Sequence, residues 1–153
     1  MKKSAFTLVE MLVVLAVISM LLGISVPFTS QFGKGLRIKT ASRAIVASLR
    51  IAKSNAVTYR KKHSVIFDVA NSRYWIEDID GKIFEKKRSL PSAVKFKDKD
   101  DDKTDPITFE NDRVIFYSTG AIEGGAGSIT ITDRQGVSKT ISILGSTGKI
   151  SIK

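Results

Sequence analysis

The amino-terminal stretch limits what this chain can become more than any other part of it. Met1 leads into Lys2-Lys3-Ser4-Ala5, and from Phe6 to Val26 there are 21 residues with one charge, Glu10. At about 1.5 Å per helical residue, that run is long enough to cross a hydrocarbon core of roughly 30 Å. It reads as a membrane helix with a carboxylate just inside its apolar boundary. Charges at the centre of such helices cost on the order of 2.5–3.5 kcal/mol, less near the interface, and point to a partner.

Two plainer explanations fit less well. A secretory signal peptide also pairs a basic start with an apolar core, but it lacks an acid inside that core and ends in a small-x-small cleavage site. Gly23-Ile24-Ser25 only imitates such a site. A simple signal anchor leaves Glu10 unexplained. The basic leader, the small residue and then Phe6-Thr7-Leu8-Val9-Glu10-Met11 resemble the prepilin processing motif of the type IV pilin and type II secretion pseudopilin superfamily. The resemblance implies cleavage by prepilin peptidase between Ala5 and Phe6, N-methylation of Phe6 and a role for Glu10 in filament assembly. Ala5 stands where the superfamily usually carries glycine. A cut before Phe6 places a new amino group one helical turn from Glu10, and a neighbouring subunit's amine would pair with that acid where the dielectric is low.

Charge is divided unevenly along the 153 residues. The net +10 is the sum of two leader lysines, Glu10, nine Lys or Arg with no acid between residues 11 and 67, and a balanced 14 against 14 from Asp68 onward. A basic stem of this kind is drawn to anionic lipid, acidic partner subunits or nucleic acid, and charge alone does not choose among them. Lys34, Arg37, Lys39 and Arg43 also compete with the leader under the positive-inside tendency, whereas the processing motif places the leader in the cytoplasm. There is no cysteine, so neither disulfides nor thiolate chemistry contributes.

Pro27 removes a backbone donor after the apolar run, which predicts a kink or local break there. From Leu36 the helical period resumes, with Ile38, Ala41, Ile45, Leu49, Ala52, Ala56 and Tyr59 forming an apolar stripe to pack on the head's sheet. Arg43, Arg50, Lys53 and Arg60 lie off it, facing water or neighbouring subunits. Beyond Lys61-Lys62-His63 the period becomes two. Residues 64–69, 73–77 and 82–85 read as a three-strand meander, 94–96 as a short edge strand, and 113–117, 128–132, 137–143 and 147–153 as further strands. Residues 98–105 carry five Asp and two Lys in an exposed loop. It lacks the central Gly and final Glu of the EF-hand pattern, so calcium is the weaker reading and no metal is expected.

Chemistry is sparse. His63 is the only histidine and reads as a surface residue at the helix-to-strand junction, while Tyr74 and Trp75 fall on alternating faces as core and rim. No nucleophile and base pair at a recognisable spacing, so the chain does not read as an enzyme and needs no cofactor. Ala52-Lys53-Ser54-Asn55-Ala56, Phe116-Tyr117-Ser118-Thr119-Gly120, the 129–143 hairpin and Gly148-Lys149-Ile150 are similar to the H-type minor pseudopilin group (GspH/FimT).

That resemblance implies an α+β, pilin-like fold: a long amino-terminal helix, membrane anchor plus amphipathic stem, packed on an antiparallel β-rich carboxyl-terminal head. The expected organisation is a leader at 1–5, a transmembrane and assembly helix at 6–33, a stem helix at 34–62 and a head at 63–153. The implied function is a subunit of a type II secretion pseudopilus or a type IV pilus, single-pass in the bacterial inner membrane with its head periplasmic or extracellular. Its partners would be prepilin peptidase, other major and minor pseudopilins or pilins, and membrane lipid. The rival is a DNA-binding minor pilin for DNA uptake. The stem charge favours it, while the neutral head and a carboxyl end with only Lys149 and Lys153 argue against it.

Overall fold

The computed structural model describes residues 7–32, 35–97 and 105–153, with the backbone alone for 24–32. It divides into two compact units, Met1–Lys34 and Gly35–Lys153. The first holds helix α1, Leu8–Phe32. Its apolar residues repeat with no preferred side, so a single core-facing stripe cannot form. Leu8, Val9, Met11, Leu12, Leu15 and Ile18 are accordingly all exposed. Ser19 turns its hydroxyl back to the carbonyl of Leu15 at 2.8 Å, which satisfies it within the helix. The break expected at Pro27 is absent, since α1 continues through it to Phe32. The next helix instead starts after Gly35, whose φ of 76° is a conformation that glycine adopts at no steric cost.

In the second unit, helix α2 spans Leu36–Tyr59 and ends where Arg60 enters the left-handed region at φ 53°. Six of the seven predicted stripe residues are buried, joined by Ser42, Val46 and Ser48. Tyr59 is the exception at 55 % exposed. Its ring lies at the rim, 5.9 Å from His63 and 6.0 Å from Phe84, because the helix ends beside it.

The head contains two four-stranded antiparallel sheets where the sequence suggested one. The strands are β1 (His63–Asp68), β2 (Arg73–Asp78), β3 (Arg88–Ser89), β4 (Val94–Phe96), β5 (Arg113–Phe116), β6 (Gly127–Asp133), β7 (Ser138–Ile143) and β8 (Ile150–Ile152). Their orders are β3-β2-β1-β5 and β4-β6-β7-β8. Alternation puts Val65, Phe67, Tyr74, Ile76, Val114 and Phe116 on the inner face of the first sheet, and Ile129, Ile131, Ile141 and Ile143 in the core from the second. Helix α2 packs against strands of both sheets. Three of the four outer strands, β3, β4 and β8, are two or three residues long, and Lys95, Lys149 and Lys153 flank or occupy them, which discourages edge-to-edge pairing; the fourth, β5, has four residues.

The meander is only partly realised. Residues 82–85 do not form its third strand: Ile83 makes a single bridge to Glu77, and the edge partner of β2 is β3, with Arg73 opposite Ser89. Charges at Lys82, Glu85, Lys86 and Lys87 leave this stretch too polar to continue a half-buried ladder. The expected edge strand at 94–96 is present as β4.

Candidate assembly interface

Of the three site residues named from sequence, Ala5 and Phe6 lie outside the described residues and Glu10 lies in the first turn of α1. Glu10 has partners within its own chain. Its Oε2 accepts the Thr7 backbone N–H at 3.2 Å and the Thr7 hydroxyl at 3.1 Å, while Thr7 Oγ1 accepts the Glu10 backbone N–H at 3.2 Å. This is a capping box, in which the first free amides of a helix and an acid three residues on satisfy each other. A lone subunit therefore already gives Glu10 a partner, Thr7, before any neighbour is added. The Thr-x-x-Glu spacing before an apolar run was the available signal. Such a cap also sets the carboxylate at the positive end of the helix dipole.

Around this cap the surface is apolar on every side. Leu8 is 78 % exposed, Met20 is 72 % exposed, and no described side chain of α1 is buried. Among the described residues no helix is long and apolar enough to cross a membrane. Side chains of α1 are described from Leu8 to Gly23, 16 residues, against the roughly 20 that a span requires. The apolar sequence runs on to Val26 and the backbone stays helical to Phe32.

Two basic-region readings change on folding. Lys53 does not face water freely: its ammonium donates to the carbonyls of Thr147 at 2.7 Å and Gly148 at 3.2 Å, which ties α2 to the loop before β8. The same spot requires glycine, because a Cβ on Gly148 would sit 2.2 Å from the Gly120 carbonyl oxygen. His63 is buried rather than on the surface, at 3 % exposure. It packs edge-on to Phe84, with Nδ1 3.1 Å from the Lys61 carbonyl oxygen. Strand β1 begins at this residue and turns it inward, and a basic flank in sequence carries no information about that orientation. Tyr74 is core and Trp75 half-buried at the rim, as their alternation predicts, with the Lys87 ammonium 4.1 Å over the indole.

Among the described residues no three His, Cys, Asp or Glu side chains are grouped to hold a metal ion. Residues 98–104 of the acidic loop lie outside the description; Asp105, at its end, accepts the Ile107 N–H at 3.0 Å. A cleft of about 610 Å³ opens beside Phe109, Glu110, Arg113 and Glu123. Burial, and secondarily the nearby Asp105 charge, raise the Asp112 carboxyl above its ordinary value. A raised carboxyl destabilises the fold once ionised: its contribution is intact below the unfolded-state value and is lost as pH rises through the folded one. Asp112→Asn, at a left-handed position (φ 50°) that asparagine tolerates, should therefore raise the melting temperature at pH 7. Being partly exposed, it should gain no more than about 0.5 kcal/mol. The difference from wild type should vanish in melts below the ordinary carboxylate range.

The chain's first 26 residues match the prokaryotic N-terminal methylation motif, and residues 41–147 match the model of type II transport protein GspH. The second match covers most of the chain, from residue 41 within α2 through β7. The protein belongs to the GspH family. This is a family of minor pseudopilins and pilins of type II secretion and type IV pili, whose members are structural subunits. Solved structures share the fold of this GspH-family chain. The type IV minor pilin FimU of Pseudomonas aeruginosa is 18 % identical, with 83 % of this chain and 92 % of that one covered at a TM-score of 0.61. The minor pseudopilin EpsH from the type 2 secretion system of Vibrio cholerae is 10 % identical, with 76 % and 96 % covered at 0.56. At those identities the likeness is one of fold. None of the curated proteins matches the chain.

Proposed function

We propose that this chain is a minor pilin-type subunit, cut between Ala5 and Phe6, methylated on Phe6 and assembled through α1 into a type II secretion pseudopilus or type IV pilus that supports protein secretion. The observation that carries the reading is α1 itself, apolar on all sides, with its one described carboxylate held at its amino end. Such a surface is stable only in lipid or against other helices. A subunit that moves from the inner membrane into a filament core meets both. The leader then lies in the cytoplasm, and the stem helix and head lie on the far side of the membrane. Processing supplies the positive amine that Glu10 of an adjoining subunit would meet.

The decisive measurement is intact mass spectrometry of protein purified from its native membrane. The expected species begins at Phe6, lacks residues 1–5 and carries one additional methyl group. A chain that retains Met1 or its leader overturns the filament mechanism and leaves a tethered β-rich module.

A further inference from the structure

The outward face of α2 carries cations that no described group neutralises. Lys39, Arg43 and Arg50 are exposed and recur at four and seven residues, so they lie along one side of the helix. Helix α2 has no acid to pair with them, and neither has any position from 11 to 67. The ion pairs seen among the described residues use other cations, Lys62 with Glu123, Arg88 with Glu85 and Arg113 with Glu77. The same face holds small exposed residues, Ala47 and Ser54, between and beyond the arginines. It ends in apolar side chains, Leu36 at 60 % and Val57 at 47 % exposure.

These features together select a kind of partner. Phosphates would meet the charges but leave Leu36 and Val57 in water, whereas a protein surface offers carboxylates and apolar groups together. A helix lying in a lipid interface inserts its apolar face, and here that face is buried in the head. From Leu36 to Val57 the ridge is about 30 Å long, the breadth of an ordinary subunit interface of roughly 800 Å² per partner. Ala47 and Ser54 let a partner's backbone come close between the charges.

We propose that this face of α2 docks an acidic surface of a neighbouring pilin-type subunit, Lys39, Arg43 and Arg50 meeting carboxylates while Leu36 and Val57 meet apolar side chains. The inference rests on the subunit reading above and adds the partner's chemistry. Attraction between such patches speeds encounter and fixes register, and it weakens with salt.

Because the chain has no cysteine, Thr40→Cys places a unique thiol at an exposed position beside the ridge, clear of the small residues that let a partner approach. The full-length variant, tagged there with a maleimide–benzophenone and irradiated in native membranes, should form an adduct with an acid-rich surface of another pilin or pseudopilin. Yield should fall at least tenfold when Arg43→Glu and Arg50→Glu are added, and return when the cross-linked carboxylates of the partner become lysine. Adducts confined to the chain's own 98–105 segment, to lipid or to nucleic acid overturn the proposal, as does a yield indifferent to charge reversal. Entry into sheared filaments is followed in the same cells. Filament entry without the adduct sinks the docking face alone, while a wild-type chain that never enters filaments takes the subunit reading down with it.

Discussion

Glu10→Ala should leave the protein in the membrane fraction and remove it from sheared filaments, with incorporation reduced more than a hundredfold by immunoblot. The argument is one of unpaired charge. In the lone chain Glu10 is already satisfied by Thr7, so the substitution costs only a helix cap, about 1 kcal/mol, and insertion survives. In the proposed filament the acid would face the amine that cleavage creates, in a medium from which water is excluded. Removing one partner from such a pair costs about 3–5 kcal/mol, because the other charge stays buried and unanswered. The upper end of that range is more than a thousandfold in an equilibrium constant. Thr7→Val is the informative control: it breaks the cap but keeps the acid, so its loss should stay near tenfold. Normal filament entry by the Glu10 variant would refute the pairing.

The second large effect belongs to the head. Phe116 is fully buried, opposite His63 in the β1–β5 ladder and bridged on its other side to Ile122. Truncation to alanine removes a large apolar side chain from between α2 and the sheet and leaves a cavity that neighbouring strands cannot fill, for a loss of about 3–5 kcal/mol. For a unit of this size the melting midpoint of the detergent-solubilised full chain should drop by roughly 12–20 °C. Tyr59→Ala should cost under about 1 kcal/mol, since the residue is already 55 % exposed. Equal losses at the two positions would mean that the helix is rotated or ends elsewhere.

That pair of variants shows where linear pattern and folded structure part company. Ile38 through Ala56 could be placed on the buried side of α2 from spacing alone, because a 3.6-residue period leaves little freedom over six turns. Tyr59 continues the spacing but lies in the last turn, where Arg60 leaves helical geometry, and periodicity does not report a helix end. The β-strands were legible for the same reason, through alternation in Val65-Ile66-Phe67 and Ile129-Thr130-Ile131. Their division into two sheets was not, because pairing partners such as Ile66 and Arg113 are far apart in the chain.

The sequence by itself determined the order of segments, the anchor's apolarity, the lone acid within it and the concentration of positive charge in the stem, since each of these is a property of neighbouring residues. Only the tertiary structure decided what those groups meet. It drew Lys53 inward onto the Thr147 and Gly148 carbonyls and buried His63. A side chain's partner is fixed by chain segments up to a hundred residues away, and no local period or composition carries that distance.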